Sequence, residues 1–135
     1  MDNKDLLNED INNSSIYNIG KSKSIEKHLQ EGSLYLHPAR GEAWGLSINE
    51  AMLAGLVPII SEFTGTRELV NQVDSRLVCP LDESKISEGI IWYFNLPIAE
   101  KKALSEKSRI VARKYTEEEA VSNFKQEFTS VLEKI

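Results

Sequence analysis

The chain has a single cysteine, Cys79, so no disulfide can close within it. Its two histidines stand apart from that cysteine, and no Cys/His spacing suggests a metal, so none is expected. No apolar run approaches the roughly 20 residues needed to cross a bilayer, and no leader-like hydrophobic stretch follows Met1. Cations are also in deficit. Sixteen Lys and Arg face twenty-one Asp and Glu, and the net charge of −5 argues against a nucleic-acid footprint or a basic membrane patch. The short clusters Lys21/Lys23 and Lys101/Lys102 read as solvated helix faces. These absences point to a protein of the reducing cytoplasm, with any peripheral membrane contact supplied by a partner.

What remains is ordinary globular material. With 135 residues, 41% hydrophobic and 27% charged, the chain can bury one modest core. Residues 1–14 are polar and acidic with little periodicity and read as a mobile arm. Residues 15–135 form the folding unit. A short strand is expected at residues 16–19, a helix at 24–31 stopped by Gly32, and a second strand at 34–37 ended by Pro38. A loop at 39–45 leads into a helix ending at Gly55. The apolar run 57–60 then reads as a strand buried on both faces.

A short helix is expected at 67–73 and a weaker fourth strand at 76–79. After Pro80 the pattern is helical only. Asp82 can cap a helix whose apolar positions are Ile86, Ile90, Ile91 and Phe94, and Pro97 suits the start of the next helix. Thr116 can cap a last helix striped with Val121, Phe124, Phe128, Val131, Leu132 and Ile135. Strand and helix alternating over residues 16–80 mean an α/β fold: a partial doubly wound, Rossmann-like parallel sheet of about four strands. Helices would cover both faces, with a helical tail behind them. Ligands of such sheets bind beyond the carboxyl ends of the strands, which is where loop 39–45 lies.

That loop opens the segment EAWGLSINEAMLAG, in which seven residues separate Glu42 from Glu50. Backbone N–H groups at Trp44, Gly45, Leu46 and Ser47 would stand unpaired at the helix start, where roughly half a positive charge can hold a phosphate. Two flanking carboxylates can accept from sugar hydroxyls, so a phosphorylated sugar is the ligand to test. Each residue also has a plainer reading. Gly45 can simply make the turn, and Ser47 and Glu50 fit an S-x-x-E capping box. Glu42 can be a solvated loop acid. His37 can be a core histidine with its ring nitrogens satisfied, and Arg40 can pair with Glu42 at the surface. Glu68 can cap its own helix or tie loops together. No nucleophile–base set or phosphate-binding P-loop is present.

The whole run HPARGEAWGLSINEAMLAGLVPIISEFTGTRELV resembles the C-terminal, donor-binding half of retaining GT-B glycosyltransferases of group 1. The tail KYTEEEAVSNFKQEF resembles that family's last crossing helix, so residues 16–134 follow its pattern. The resemblance implies hexosyl transfer from a nucleotide diphosphate sugar, without a metal or other cofactor. It places Glu42 by the donor sugar as the catalytic carboxylate and Glu50 on the nucleotide ribose. Trp44, Gly45, Leu46 and Ser47 would cradle the diphosphate, with His37, Arg40, Gly65 and Glu68 as further candidates. Two departures stand out: Thr64-Gly65 where Gly-Gly is usual, and Ala39 where a Ser often follows the proline.

The same resemblance implies that the acceptor domain, two strands and the diphosphate-clamping Arg and Lys are missing, which would leave the edge of strand 34–37 bare. The expected partners are therefore the donor, plus an acceptor-domain chain or a second copy at that edge. The competing reading is a non-catalytic nucleotide-sugar-binding or interaction module.

Overall fold

Three short parallel strands organise residues 16–134, the part of the chain that the computed structural model describes. The acidic arm expected at 1–14 lies outside them. Strands β1 (Leu34–His37), β2 (Val57–Ser61) and β3 (Val78–Cys79) are ordered β1-β2-β3. Leu34 lies opposite Val57, His37 opposite Ile60, and Ile60 opposite Val78. Around them stand α1 (Ile25–Glu31), α2 (Leu46–Ala54), α3 (Arg67–Asn71), α4 (Glu83–Asn95), α5 (Ile98–Arg113) and α6 (Glu117–Leu132). Parallel neighbours need crossovers. Helix α2 supplies the first, and α3 with a 3-10 helix at Ser75–Leu77 supplies the second.

Alternation along β1 shows that both faces are covered. The Tyr35 hydroxyl donates to Ser47 Oγ of α2 at 2.9 Å, while its neighbour Leu36 lines a groove with Ile86 and Ile90 of α4. Successive side chains point to opposite faces, so α2 and α4 sandwich the sheet. Strand β2 is central, and all five of its residues are buried. Pro58 sits within it, opposite Tyr35. Ile48 and Met52 from α2, Leu69 and Val70 from α3, Tyr93 from α4 and Val111 from α5 complete the core.

Helix α2 is fixed at its carboxyl end by glycine and by α5. Gly55 adopts a left-handed φ of 94°, and the N–H groups of Gly55 and Leu56 return to Met52 O and Ala51 O. Arg109 Nη2 donates to Ala54 O at 3.2 Å, and Ser105 Oγ to Gly55 O at 2.7 Å. The negative end of the helix therefore meets a cation and a hydroxyl.

Several expectations need correction. The sheet has three strands rather than four, because residues 16–19 are irregular. Ile16, Tyr17 and Ile19 remain 61%, 84% and 60% exposed, with no element among the described residues to bury them. Among the described residues, β1 is an edge. The strand expected at 76–79 shrinks to two residues because Asp74 accepts from Arg76 N and caps the 3-10 helix in its place.

In α4 the buried face is also rotated. Tyr93 is buried and Gly89 lies against Cys79, whereas Ile91 and Phe94 are 60% and 57% exposed. Gly89 is what admits this rotation, since a Cβ there would stand 3.1 Å from Cys79 Sγ. The tail helix α6 forms as expected, with Thr116 Oγ1 accepting from Glu119 N, yet it buries no residue. No described helix is long and apolar enough to cross a membrane.

Candidate functional site at the carboxyl edge of the sheet

Loop 39–45 leaves β1 and runs alongside the turn that leaves β2. Glu42 makes a one-residue parallel bridge to Thr64: Glu42 N donates to Phe63 O at 3.2 Å, and Gly65 N to Glu42 O at 2.8 Å. Gly65 is required by this approach. A Cβ there would lie 1.7 Å from Ala43 O, so any side chain would push the two turns apart. Ser61 Oγ donates to Ala39 O and lies 3.2 Å from Thr64 Oγ1. The backbone of Glu42 is thus fixed, and its half-buried carboxylate accepts weakly from Trp44 N at 3.4 Å.

Helix α2 begins two residues before the start that a Ser47 cap would set. Its N-cap is Gly45 in the left-handed region, with φ 75° and ψ 66°, and no side chain caps the first turn. The S-x-x-E capping box is therefore absent. Ser47 already lies inside the helix, and its hydroxyl takes the Tyr35 bond instead. Glu50 is exposed and makes no capping contact, so its carboxylate remains open to solvent. Among the described residues the N–H groups at Leu46 and Ser47 are unpaired, which leaves the positive helix end to an acceptor.

Gly45 matters here for two reasons. The φ of 75° favours glycine, and a Cβ would stand 2.7 Å from Ile48 Cδ1. Trp44 is 41% exposed with its ring 6.1 Å from that of Tyr115, and Leu46 is 70% exposed.

The remaining candidates separate. Arg40 lines the α4-side groove with Asp82 and Glu83, whereas Glu50 lines a different groove with Ile25, Glu26 and Leu29 of α1. Arg40 forms no ion pair with Glu42 among the described residues. His37 is not a satisfied core histidine: its buried Nε2 has no partner there, and its ring stacks on Tyr35 at 6.2 Å. Glu68 sits in the first turn of α3, where a carboxylate suits the helix end, and its side chain ties no loop.

Residue-type spacing missed Tyr35, Ser61 and Thr66. Thr66 Oγ1 is buried at the start of α3, with no partner among the described residues. A polar residue closing the otherwise apolar run 57–60 was the available signal for Ser61.

Few groups have shifted pKa values, and one of them, Asp82 beside Arg40 in the α4-side groove, is held below the usual carboxylate range chiefly by the Ser84 hydroxyl. Asp74 is held below the usual carboxylate range chiefly by the Arg76 side chain, and burial pushes the Cys79 thiol up, away from reactivity. Among the described residues, no three His, Cys, Asp or Glu side chains gather as a metal site would need.

The arrangement is that of an α/β domain presenting an uncapped helix start beside a fixed loop carboxylate. Residues 2–95 match the family model described as glycosyl transferases group 1, which spans well over half of the chain. The chain belongs to that family. The match ends with the last residue of α4, so it takes in the whole sheet and every candidate site residue. No curated protein and no solved structure matches the chain.

Proposed function

We propose that this chain is the donor-binding half of a retaining GT-B glycosyltransferase, which takes a hexosyl group from a nucleotide diphosphate sugar. The observation that carries the reading is the uncapped start of α2. Among the described residues its Leu46 and Ser47 N–H groups receive no side chain, although Ser47 and Glu50 could have closed a capping box. An uncapped helix start stabilises an anion, and a leaving diphosphate is the anion that glycosyl transfer generates. In this reading Trp44, Gly45, Leu46 and Ser47 hold the diphosphate, Glu50 binds the ribose, and Glu42 stands by the donor sugar as the catalytic carboxylate. His37 Nε2 and Thr66 Oγ1, buried without partners among the described residues, are further donors and acceptors for that ligand. Gly65 keeps the two turns in contact, and Glu68 stands at the neighbouring helix start. No metal takes part.

A second reading, a non-catalytic nucleotide-sugar-binding module, draws on Arg40. The guanidinium nearest in sequence to the helix start lines the α4-side groove instead. Charge on a leaving diphosphate then has no cation from this loop. Catalysis in the first reading accordingly needs a partner chain that supplies cations and an acceptor groove. The edge of β1, unpaired among the described residues, is where such a chain, or a second copy, would add a strand.

Ligand-observed NMR with UDP-, GDP- and ADP-sugars, comparing the wild-type chain with Glu50→Ala, tests both readings. Saturable binding by one donor class, weakened at least tenfold in the variant, is the expected result. Absence of binding by every donor would remove both readings, and equal binding by the variant would remove the role of Glu50. Transfer restored by a co-purifying chain separates the first reading from the second.

A further inference from the structure

The position of Glu42 depends on loop 39–45, and among the described residues only one side-chain hydrogen bond reaches that loop from outside it. Ser61 Oγ donates to Ala39 O. The same oxygen lies 3.2 Å from Thr64 Oγ1. A hydroxyl has one proton to give. The Ser61 proton goes to the Ala39 carbonyl, which can only accept, so Thr64 must be the donor in the second bond. The order is therefore fixed: Thr64 to Ser61 to the Ala39 carbonyl. Both side chains are buried, at 0% and 1% exposure, where an unpaired hydroxyl or carbonyl is costly.

Thr64 meets the loop a second time through its backbone, because it is the bridge partner of Glu42. One turn thus holds the loop at Ala39 by hydroxyls and at Glu42 by amides. We propose that Ser61 and Thr64 are positioning residues, whose ordered hydroxyl pair sets the height of loop 39–45 and with it the Glu42 carboxylate. The consequence for donor binding rests on the function proposed above; the positioning itself does not. Strand β2 does not need this pair to stay in the sheet. Ser61 is already matched to Cys79, and Glu62 N donates to Cys79 O at 2.9 Å.

Amide hydrogen exchange followed by NMR tests the proposal on Ser61→Ala, Thr64→Val and Ser61→Thr. Ser108→Ala serves as a control that removes a buried hydroxyl of α5 with no partner. In Ser61→Ala the Glu42 and Gly65 amides should exchange roughly fivefold faster or more, relative to the β2 amides of Ile59 and Ile60, the loss of about one hydrogen bond. Thr64→Val should give a smaller change of the same kind, since the Ser61 bond to Ala39 survives. Ser61→Thr should restore wild-type rates, and Ser108→Ala should leave the ratio unchanged.

Exchange at Glu42 and Gly65 that tracks Ile59 and Ile60 in every variant would overturn the proposal, because it would mean a general loss of stability. Should Ser61→Ala fail to fold, Thr64→Val against wild type decides the matter by the same ratio. Donor affinity on the same samples should fall in Ser61→Ala and recover in Ser61→Thr. A wild-type chain that binds no donor would remove the donor reading alone, leaving the exchange ratio to decide the positioning role.

Discussion

Helix α2 is nine residues long and buries Ile48, Ala51 and Met52 completely, whereas the sixteen-residue α6 buries nothing. The longer helix has the cleaner stripe. Val121, Phe124, Phe128, Val131 and Leu132 recur at helical spacing and are 46% to 69% exposed. The shorter one has no such stripe: Ser47, Asn49 and Glu50 interrupt its apolar residues. The difference lies in what each helix meets. Helix α2 lies against β1, β2 and α5, and both of its ends are fixed, by Gly45 and by Gly55 with Arg109. Helix α6 is supported from within, by the Thr116 cap, by Glu117, Glu118 and Glu119 in its first turn, and by the Phe124–Phe128 contact at 5.8 Å. An apolar stripe states what a helix can bury, and only a neighbour decides whether it does.

The contrast can be broken or sharpened by substitution. Met52→Ala should cost about 3 kcal/mol in urea unfolding, because the cavity would open in the middle of the core. Gly45→Ala should cost about 2 kcal/mol, since the left-handed φ and the 2.7 Å approach to Ile48 both oppose a Cβ. Arg109→Ala removes the bond to Ala54 O, and a loss of about 1 kcal/mol is expected. On the other side of the comparison, Phe124→Ala and Phe128→Ala should each change stability by less than about 0.5 kcal/mol. A loss above about 2 kcal/mol for either phenylalanine would break the contrast and mean that another chain covers α6 in solution.

Acid supplies a finer probe, since Asp74 braces the turn behind α3 and has no counterpart on α6. Its carboxyl is held down mainly by the hydrogen bond from Arg76, whose guanidinium also lies 4.1 Å from the Trp92 ring. A depressed carboxyl contributes stability above its unfolded value of about 3.9, and that contribution is lost as pH falls through the folded value. The effect is small, because Arg76 is exposed. The urea midpoint should drift down below about pH 4, and Asp74→Asn should flatten that part of the profile.

Most helices were legible in the sequence because their start and stop signals are local. Gly55, Asp82, Pro97 and Thr116 act through one or two backbone groups each, and all four stand where expected. The strands were less so. Residues 16–19 have the right composition, but a strand needs a partner, and composition does not record one. At the site, the motif gave the positions of Glu42, Gly45 and Glu50 but suggested a capping box that does not form. Ser47 fits the pattern by spacing, yet the left-handed Gly45 starts the helix early and Tyr35, twelve residues back, takes the hydroxyl. The α4 face was misjudged for a similar reason: Gly89 has no side chain to count, yet its smallness sets which way the helix turns.

Pro58 governs how far this sheet can reach sideways. Val57 N–H points to β1, where it meets Ser33 O, so the nitrogen of Pro58 points the other way, toward the β3 side. It has no proton to offer there. Pairing on that flank begins only at Ile60, beyond the 3-10 helix that Asp74 caps, so β3 is two residues long, while the opposite flank pairs along four. Proline on one side and the Asp74-capped 3-10 helix on the other thus make the sheet one-sided, with a stub on the β3 flank and a full-length margin at β1 that is unpaired among the described residues.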